Sequence, residues 1–368
     1  MKVLFHMPTK VIIGKDCIKD NAQLLCSMGN KALIVTGANS AKRCGALDDV
    51  ISALTAQGRE YAVFDKVMAN PTIECVYEGA AYAKQQKADF VIAIGGGSPM
   101  DAAKAIALLA CQEIPEVKLF SGSYEDNVLP MAFLPTTAGT GSEVTPYAVL
   151  TNHKAQTKMS ISSPLIFPKI AFLDAKYTMA LPLSSTINTA IDALSHSIEG
   201  MLTVKANPMS DVFALQSIRD ILSCFDALRS GNLTFEDREK LLYASMLAGV
   251  VIAQTGTTVV HPMGYPLTYF KDVDHGRANG LILGHFLELV HERNPQRVDQ
   301  ILSHVNLSSA RELEDQLVSL LGKKEEVTLT EIEQYADSAI KAKNVQNTCV
   351  LLNRDDLVAI YRKSFGYK

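Results

Sequence analysis

The stretch FVIAIGGGSPMDAAKAIAL, Phe90–Leu108, reads as a strand, a tight turn and a helix in succession. Phe90–Ile94 is short, apolar and followed by glycine, the pattern of a strand buried on both faces. Gly95, Gly96, Gly97 and Ser98 let the backbone turn sharply and come close to a ligand. The helix that follows, expected from about Asp101 to Cys111, is rich in alanine and so can lie close on a sheet. Its N-terminus presents free N–H groups and the positive end of a dipole, which together suit a pyrophosphate. The spacing differs from the G-x-G-x-x-G dinucleotide fingerprint.

The same alternation extends on both sides. Ala32–Thr36, Tyr61–Phe64, Met131–Leu134 and Ile170–Leu173 read as further strands. Between them, Asn70 and Pro71 are expected to open a helix that runs to about Lys87, with asparagine as cap and proline in the first turn. Alternating β and α predicts a doubly wound parallel sheet. After Met131–Leu134 comes a second polar loop, Pro135–Thr145, with five hydroxyls and two glycines. It falls where a parallel sheet presents the carboxyl ends of its strands, which is where ligands bind.

Beyond about Leu181 the pattern changes to long helical periods: Thr186–Val204, Met209–Leu228, Phe235–Gln254, Leu281–Arg293 and several more to Tyr361. The expected architecture is an α/β domain with a nucleotide site over residues 1–180 and an all-α domain over 181–368, with a cleft between them. Leu241–Val260 is twenty residues without a charge, long enough to span a bilayer. Gln254, Gly256, Thr257 and Thr258 break its second half and no basic flank orients it, so a buried core helix is expected.

Composition narrows the function classes. The chain has 368 residues, 48% of them hydrophobic and 20% charged, which excludes a disordered chain. A net charge of −4 argues against coating nucleic acid or an anionic membrane. Cys17, Cys26, Cys44, Cys75, Cys111, Cys224 and Cys349 are odd in number and form no CxxC pair, so a reducing cytoplasm is expected. The N-terminal MKVLFHMPTKVIIG is too short and interrupted for a signal peptide.

Asp192 and His196 stand at i and i+4 in NTAIDALSHSIEG and share a helix face that is otherwise apolar. A carboxylate there needs a partner. His261 follows the apolar stretch and His275 lies in DVDHGRANG. One carboxylate and three imidazoles make a plausible site for a divalent transition metal. Spacing alone does not separate His285 from these, and the Asp192–His196 pair also reads as a simple polar contact on the helix.

GGGSPMD, LPTTAGTGSEVT, DALSHSIEG and the His261/His275 pair resemble the iron-dependent (group III) alcohol dehydrogenases, in the propanediol- and butanol-dehydrogenase branch. The resemblance runs from VIIGKD to HGRANG and weakens after about Phe286. It implies a dehydroquinate-synthase-like architecture and a homodimer or larger assembly. It also implies hydride transfer between a nicotinamide cofactor and a small primary alcohol or aldehyde. Asp192, His196, His261 and His275 become metal ligands, with Fe2+ the usual metal and Zn2+ an alternative. Gly96, Gly97 and Ser98, with Asp101 beside them, meet the pyrophosphate. Thr136, Thr137, Thr145, Tyr147 and Lys158 surround the rest of the cofactor, and Asn70 approaches the nicotinamide side. Related activities on this architecture are polyol oxidation of the glycerol-dehydrogenase kind and a dehydroquinate-synthase-like lyase reaction.

Two departures from the family pattern matter. Many members carry a histidine four residues after the third ligand; here that position is Tyr265, whose phenol has a pKa near 10 and is a poor proton shuttle at neutral pH. NAD-preferring members tend to carry an aspartate after the strand Ala32–Thr36, and here the residue is Gly37. Glycine removes a charge that would repel a 2′-phosphate, Ser40 offers a hydroxyl, and Lys42 or Arg43 can pair with phosphate, so NADP(H) is expected over NAD(H).

Overall fold

All five apolar runs anticipated as strands form part of one six-stranded sheet in the computed structural model, which describes residues 3–367. Its strands are β1 (Lys10–Ile13), β2 (Lys31–Thr36), β3 (Glu60–Phe64), β4 (Phe90–Gly95), β5 (Met131–Pro135) and, after a hairpin, β8 (Ile170–Leu173). The order across the sheet is β1-β8-β5-β4-β2-β3 and every pairing is parallel. Edge strand β1 and the antiparallel hairpin β6 (Tyr147–Asn152) and β7 (Thr157–Ser162) were not anticipated.

Alternation along each strand explains why both faces are covered. In β2, Leu33 and Val35 join a core with helices α2 (Ile73–Gln86) and α3 (Gly97–Cys111), while Ala32 and Ile34 join another with α1 (Ala46–Ala56). In β4, Val91 and Ala93 face the first core, Phe90, Ile92 and Ile94 the second, and all five are fully buried. The result is the three-layer arrangement that a parallel sheet needs. The chain leaves β2 toward β3 on one side and β4 toward β5 on the other, so the topological switch point lies between the carboxyl ends of β2 and β4. Gly37 follows β2 there, and the glycine turn follows β4.

Two local expectations are corrected. Helix α3 starts at Gly97, not near Asp101, so Asp101 sits in its second turn. Helix α2 is capped by Thr72, whose hydroxyl accepts from Cys75 N at 3.3 Å. Asn70 lies before the helix in a left-handed conformation at φ 57° and does not cap it, because Thr72 supplies the better-placed oxygen.

The chain divides into a unit Met7–Leu181 and a unit Pro182–Lys368 that takes in Met1–His6. The second unit is helical: α4 (Leu183–Met201), α5 (Pro208–Ser223), α6 (Phe235–Thr255), α7 (Val260–Lys271) and α8 (His275–Arg293) lead into shorter helices ending at Arg354–Ser364. Within it, Gln254 exchanges two hydrogen bonds of 2.9 Å with the His6 backbone. Among the described residues no single helix is long and apolar enough to cross a membrane. Helices α6 and α7 pass that test only as a pair bent by 114°, and Leu241, Leu242, Met246, Leu247, Val250, Val251 and Ile252 are all buried. Gly256, at φ 69°, ends α6 where the sequence breaks.

Candidate active site

In the α/β unit the glycine turn is shaped by what packs on it. Gly95 adopts φ +155°, and a side chain there would meet Pro99 Cγ at 2.5 Å. Side chains at Gly96 and Gly97 would meet Thr137 Oγ1 at 3.0 Å and Thr140 Cγ2 at 2.6 Å. The glycines thus let the hydroxyl loop after β5 lie directly on the start of α3. Thr136 N donates to Gly95 O at 2.9 Å, and Ser98 Oγ accepts from Asn70 N at 3.1 Å. Asn70 is held from its other side by Thr151 Oγ1, which donates to its carbonyl at 3.1 Å.

Below the turn lies a buried polar network. Asp101 Oδ1 accepts from Ser142 Oγ at 2.6 Å and Oδ2 from Val149 N at 2.9 Å, so both oxygens are committed to protein donors. The completely buried Lys104 donates to Ser142 Oγ at 2.7 Å, Thr145 Oγ1 at 3.1 Å and Tyr147 O at 2.7 Å. Burial lowers the Lys104 amine to about 8 against the opposing pull of Asp101 and Glu143. Burial likewise raises Glu143 to about 7. Tyr147 and Lys158 lie on β6 and β7, with Lys158 opposite Thr151. At the first turn after β2, Asn39 precedes the short helix Ser40–Arg43, and Ser40 is its first residue. Lys42 Nζ pairs with Asp65 Oδ2 at 3.3 Å, and Arg43 is exposed.

In the helical unit, each of the three imidazoles expected as ligands stands near Asp192. Asp192 Oδ1 lies 3.9 Å from His196 Nε2, 4.0 Å from His261 Nε2 and 3.9 Å from His275 Nε2. Ligand atoms of Asp192, His261 and His275 all stand within 4.8 Å of one another. A tetrahedral set at about 2.1 Å from a metal has donors about 3.4 Å apart, so the distances from Asp192 Oδ1 to the three imidazoles exceed that spacing by about half an ångström. The His196 ring stacks on His261 at 4.7 Å, and His261 meets His275 edge-on at 5.1 Å. Side chains of Asp192, His196 and His261 are 4–6% exposed, whereas His275 is 26% exposed, so the cluster opens at His275. Tyr265 stacks on His275 at 5.7 Å and borders that opening. His285 belongs elsewhere, 3.1 Å from Glu288 and 3.5 Å from Glu314.

Helix packing brings these residues together. His275 opens α8, directly after Asp274, which accepts from Asn188 Nδ2 at 2.6 Å. A side chain on Gly276 would sit 1.9 Å from the Asn188 carbonyl oxygen, so glycine there allows α8 to lie against α4. The expected start of α8 at Leu281 is therefore six residues too late.

Comparison with known proteins gives the assembly a family. The profile described as "Iron-containing alcohol dehydrogenase" matches residues 8–175, and "Fe-containing alcohol dehydrogenase family, C-terminal" matches residues 186–365. The chain belongs to the iron-containing alcohol dehydrogenase family. Among curated proteins, it is 30% identical over 352 residues to the NADPH-dependent butanol dehydrogenase of Clostridium saccharobutylicum, covering 92% of this chain and 88% of that protein. It is 34% identical over 284 residues to the NAD-dependent methanol dehydrogenase of Bacillus methanolicus, covering 76% and 74%. Among solved structures, an iron-containing alcohol dehydrogenase from Thermotoga maritima superposes with a TM-score of 0.92 at 36% identity, covering 99% of this chain and 100% of that one. This iron-dependent dehydrogenase is thus an oxidoreductase acting on small alcohols and aldehydes with an iron and a nicotinamide cofactor.

Three residues of the dehydrogenase's site went unread in the sequence. Glu199, in the same DALSHSIEG segment as two proposed ligands, is fully buried and bonds His261 Nδ1 at 2.5 Å. Burial works to raise its pKa, but His261, Thr258 and Ser195 outweigh that and hold the carboxyl below its ordinary value. Asn279, one turn after His275, donates to Asp192 Oδ1 at 3.0 Å, and the same nitrogen lies 3.4 Å from His261 Nε2 and 3.3 Å from His275 Nε2. Lys104 is the third. Its signal was a lysine on an alanine face, and Lys104→Met is expected to destabilise the α/β unit by about 3 kcal/mol, since three polar partners lose a charged donor. Chemical denaturation measures this; an unchanged midpoint would mean that the network contributes nothing.

Proposed function

We propose that Asp192, His196, His261 and His275 are the donors for the divalent metal, iron first and zinc as the alternative, and that the cofactor is NADP(H). The observation that carries the metal reading is Asp192 Oδ1 standing 3.9–4.0 Å from three imidazole Nε2 atoms in a buried cluster. Imidazole nitrogens with one carboxylate suit iron or zinc. When bound, the metal supplies a Lewis acid that polarises the substrate oxygen, and the nicotinamide gives or accepts hydride. The chain's own residues supply the setting. Asp192 contributes a negative charge, the buried imidazoles keep water from the inner side, and the exposed edge of His275 with Tyr265 admits a small substrate. The loops at Gly37–Ser40, Gly96–Ser98 and Thr136–Tyr147, with Asn70 and Lys158, are assigned to the cofactor. Asp101 acts there by holding Ser142 and Val149 rather than by facing phosphate. Hydride transfer with a small primary alcohol such as butanol, in a homodimer or larger assembly, completes the reading. Seven unpaired cysteines support a reducing cytoplasm.

Support for NADP(H) comes from the turn after β2. Gly37 brings no carboxylate toward a 2′-phosphate, and Ser40, Lys42 and Arg43 follow it. The named relatives divide, one NADPH-dependent and one NAD-dependent. The test is an anaerobic preparation with elemental analysis, then initial rates on an alcohol and aldehyde panel with both cofactors. NADPH is expected to exceed NADH in kcat/KM by about tenfold, equal to about 1.4 kcal/mol. Gly37→Asp is expected to invert the preference. A much lower KM for NADH in the wild type would overturn the NADP(H) assignment; metal-free protein with full turnover would overturn the site.

A further inference from the structure

Glu199 lies one turn beyond His196 on α4 and is 0% exposed. A charge so placed requires dedicated partners, and it has four. Oε1 accepts from Ser195 Oγ at 2.9 Å and faces His261 Nδ1 at 2.5 Å. Oε2 accepts from Thr258 N at 2.9 Å and from Thr258 Oγ1 at 2.7 Å. The Thr258 backbone group can only donate, so the Oε2 side of residue 199 must always be an acceptor. The opposite oxygen then meets the imidazole. A neutral histidine carries one ring N–H. With that proton on Nδ1, Nε2 is left as a lone pair, and Nε2 is the atom directed toward Asp192.

We infer that Glu199 is a positioning residue for the metal centre: it selects the Nδ1–H tautomer of His261 and places a second negative charge behind it, so that Asp192 and Glu199 together balance a divalent cation. The inference rests on the metal reading above. Partners of this kind fix ring orientation and raise the basicity of a ligating imidazole. Its bonds to Thr258 also tie α4 to the turn that leads into α7, which fixes where His261 begins.

The discriminating variant is Glu199→Gln, which keeps the volume. Its amide oxygen must face Thr258, because the amide NH2 and the Thr258 N–H are both donors. The NH2 group therefore turns to His261 and drives its proton to Nε2, the atom a metal needs. Apo E199Q is expected to keep the wild-type circular dichroism and melting temperature. Its affinity for Co2+, measured by chelator competition, is expected to fall 10–100-fold, with a changed visible absorption of bound Co2+. Spectra of apo protein labelled with 15N-histidine are expected to show His261 as the Nδ1–H tautomer in wild type and as Nε2–H in E199Q. Wild-type apo protein with His261 protonated at Nε2 would overturn the inference whether or not the variant folds. So would E199Q binding Co2+ as tightly as wild type with the same spectrum. Failure of the wild type itself to bind Co2+ would instead remove the metal reading, so the two failures are distinguishable.

Discussion

Asp192→Asn is expected to leave a folded protein that holds no stoichiometric metal and turns over on the order of 10³-fold more slowly. The reasoning begins with shape. Asparagine keeps the size of the side chain and an oxygen that can still accept from Asn279, at 3.0 Å in the native arrangement. What it loses is the carboxylate directed at the three Nε2 atoms. A Lewis acid contributes several kcal/mol to stabilising charge on the substrate oxygen, and each 1.36 kcal/mol is tenfold in rate; about 4 kcal/mol gives the stated loss. Asp192 is 3% exposed, and asparagine fills the same buried space with the Asn279 contact kept, so the variant's apo form is expected to melt no lower than wild-type apo protein. Elemental analysis, turnover and calorimetry of the apo forms are read together. Lost metal with retained stability identifies a ligand. Full occupancy with normal turnover would remove Asp192 from the site.

The sequence showed the frame more readily than the second layer around the site, for physical reasons. β2, β4, β5 and β8 are buried on both faces and read as plain apolar runs. β1 is an edge strand of four residues and β7, TKMSIS, is largely polar, so neither has that signature. The Asp192–His196 pair was visible because both sit on one turn of one helix. His261 and His275 lie on other helices, and their meeting depends on packing that periodicity does not encode; resemblance to the family supplied them. Glu199 was legible by the argument used for Asp192, a carboxylate on an apolar helix face, yet its partners Thr258 and His261 come from 59 and 62 residues away. The same holds for Lys104, whose acceptors Ser142, Thr145 and Tyr147 lie in the hydroxyl loop and at the start of β6. Long-range polar satisfaction leaves only the signal of a charge where none is comfortable.

Gly276→Ala is expected to disable the centre without touching a ligand. Gly276, Gly280 and Gly284 recur every fourth residue on α8 and form one face of it. A methyl at 280 would meet Ile191 Cγ2 at 2.5 Å, a side-chain atom that truncation can remove. At 276 it would meet the Asn188 carbonyl oxygen at 1.9 Å and Asp192 Cβ at 2.9 Å. The first obstacle is backbone inside α4, and no rotamer relieves it. Helix α8 must therefore withdraw from α4, carrying the adjacent His275 and, one turn on, Asn279. Overpacking of this kind costs about 1–3 kcal/mol, and a displacement of about 1 Å at a reacting centre lowers rate on the order of 10²-fold. Gly276→Ala is thus expected to lose metal affinity and turnover by about that factor with a lower melting temperature. Gly280→Ala should recover in part when combined with Ile191→Ala. No truncation on α4 can rescue position 276, because the colliding atom belongs to the main chain. Wild-type metal binding in Gly276→Ala would mean that α8 tolerates the methyl in place, and that His275 reaches the cluster without the close approach of the two helices.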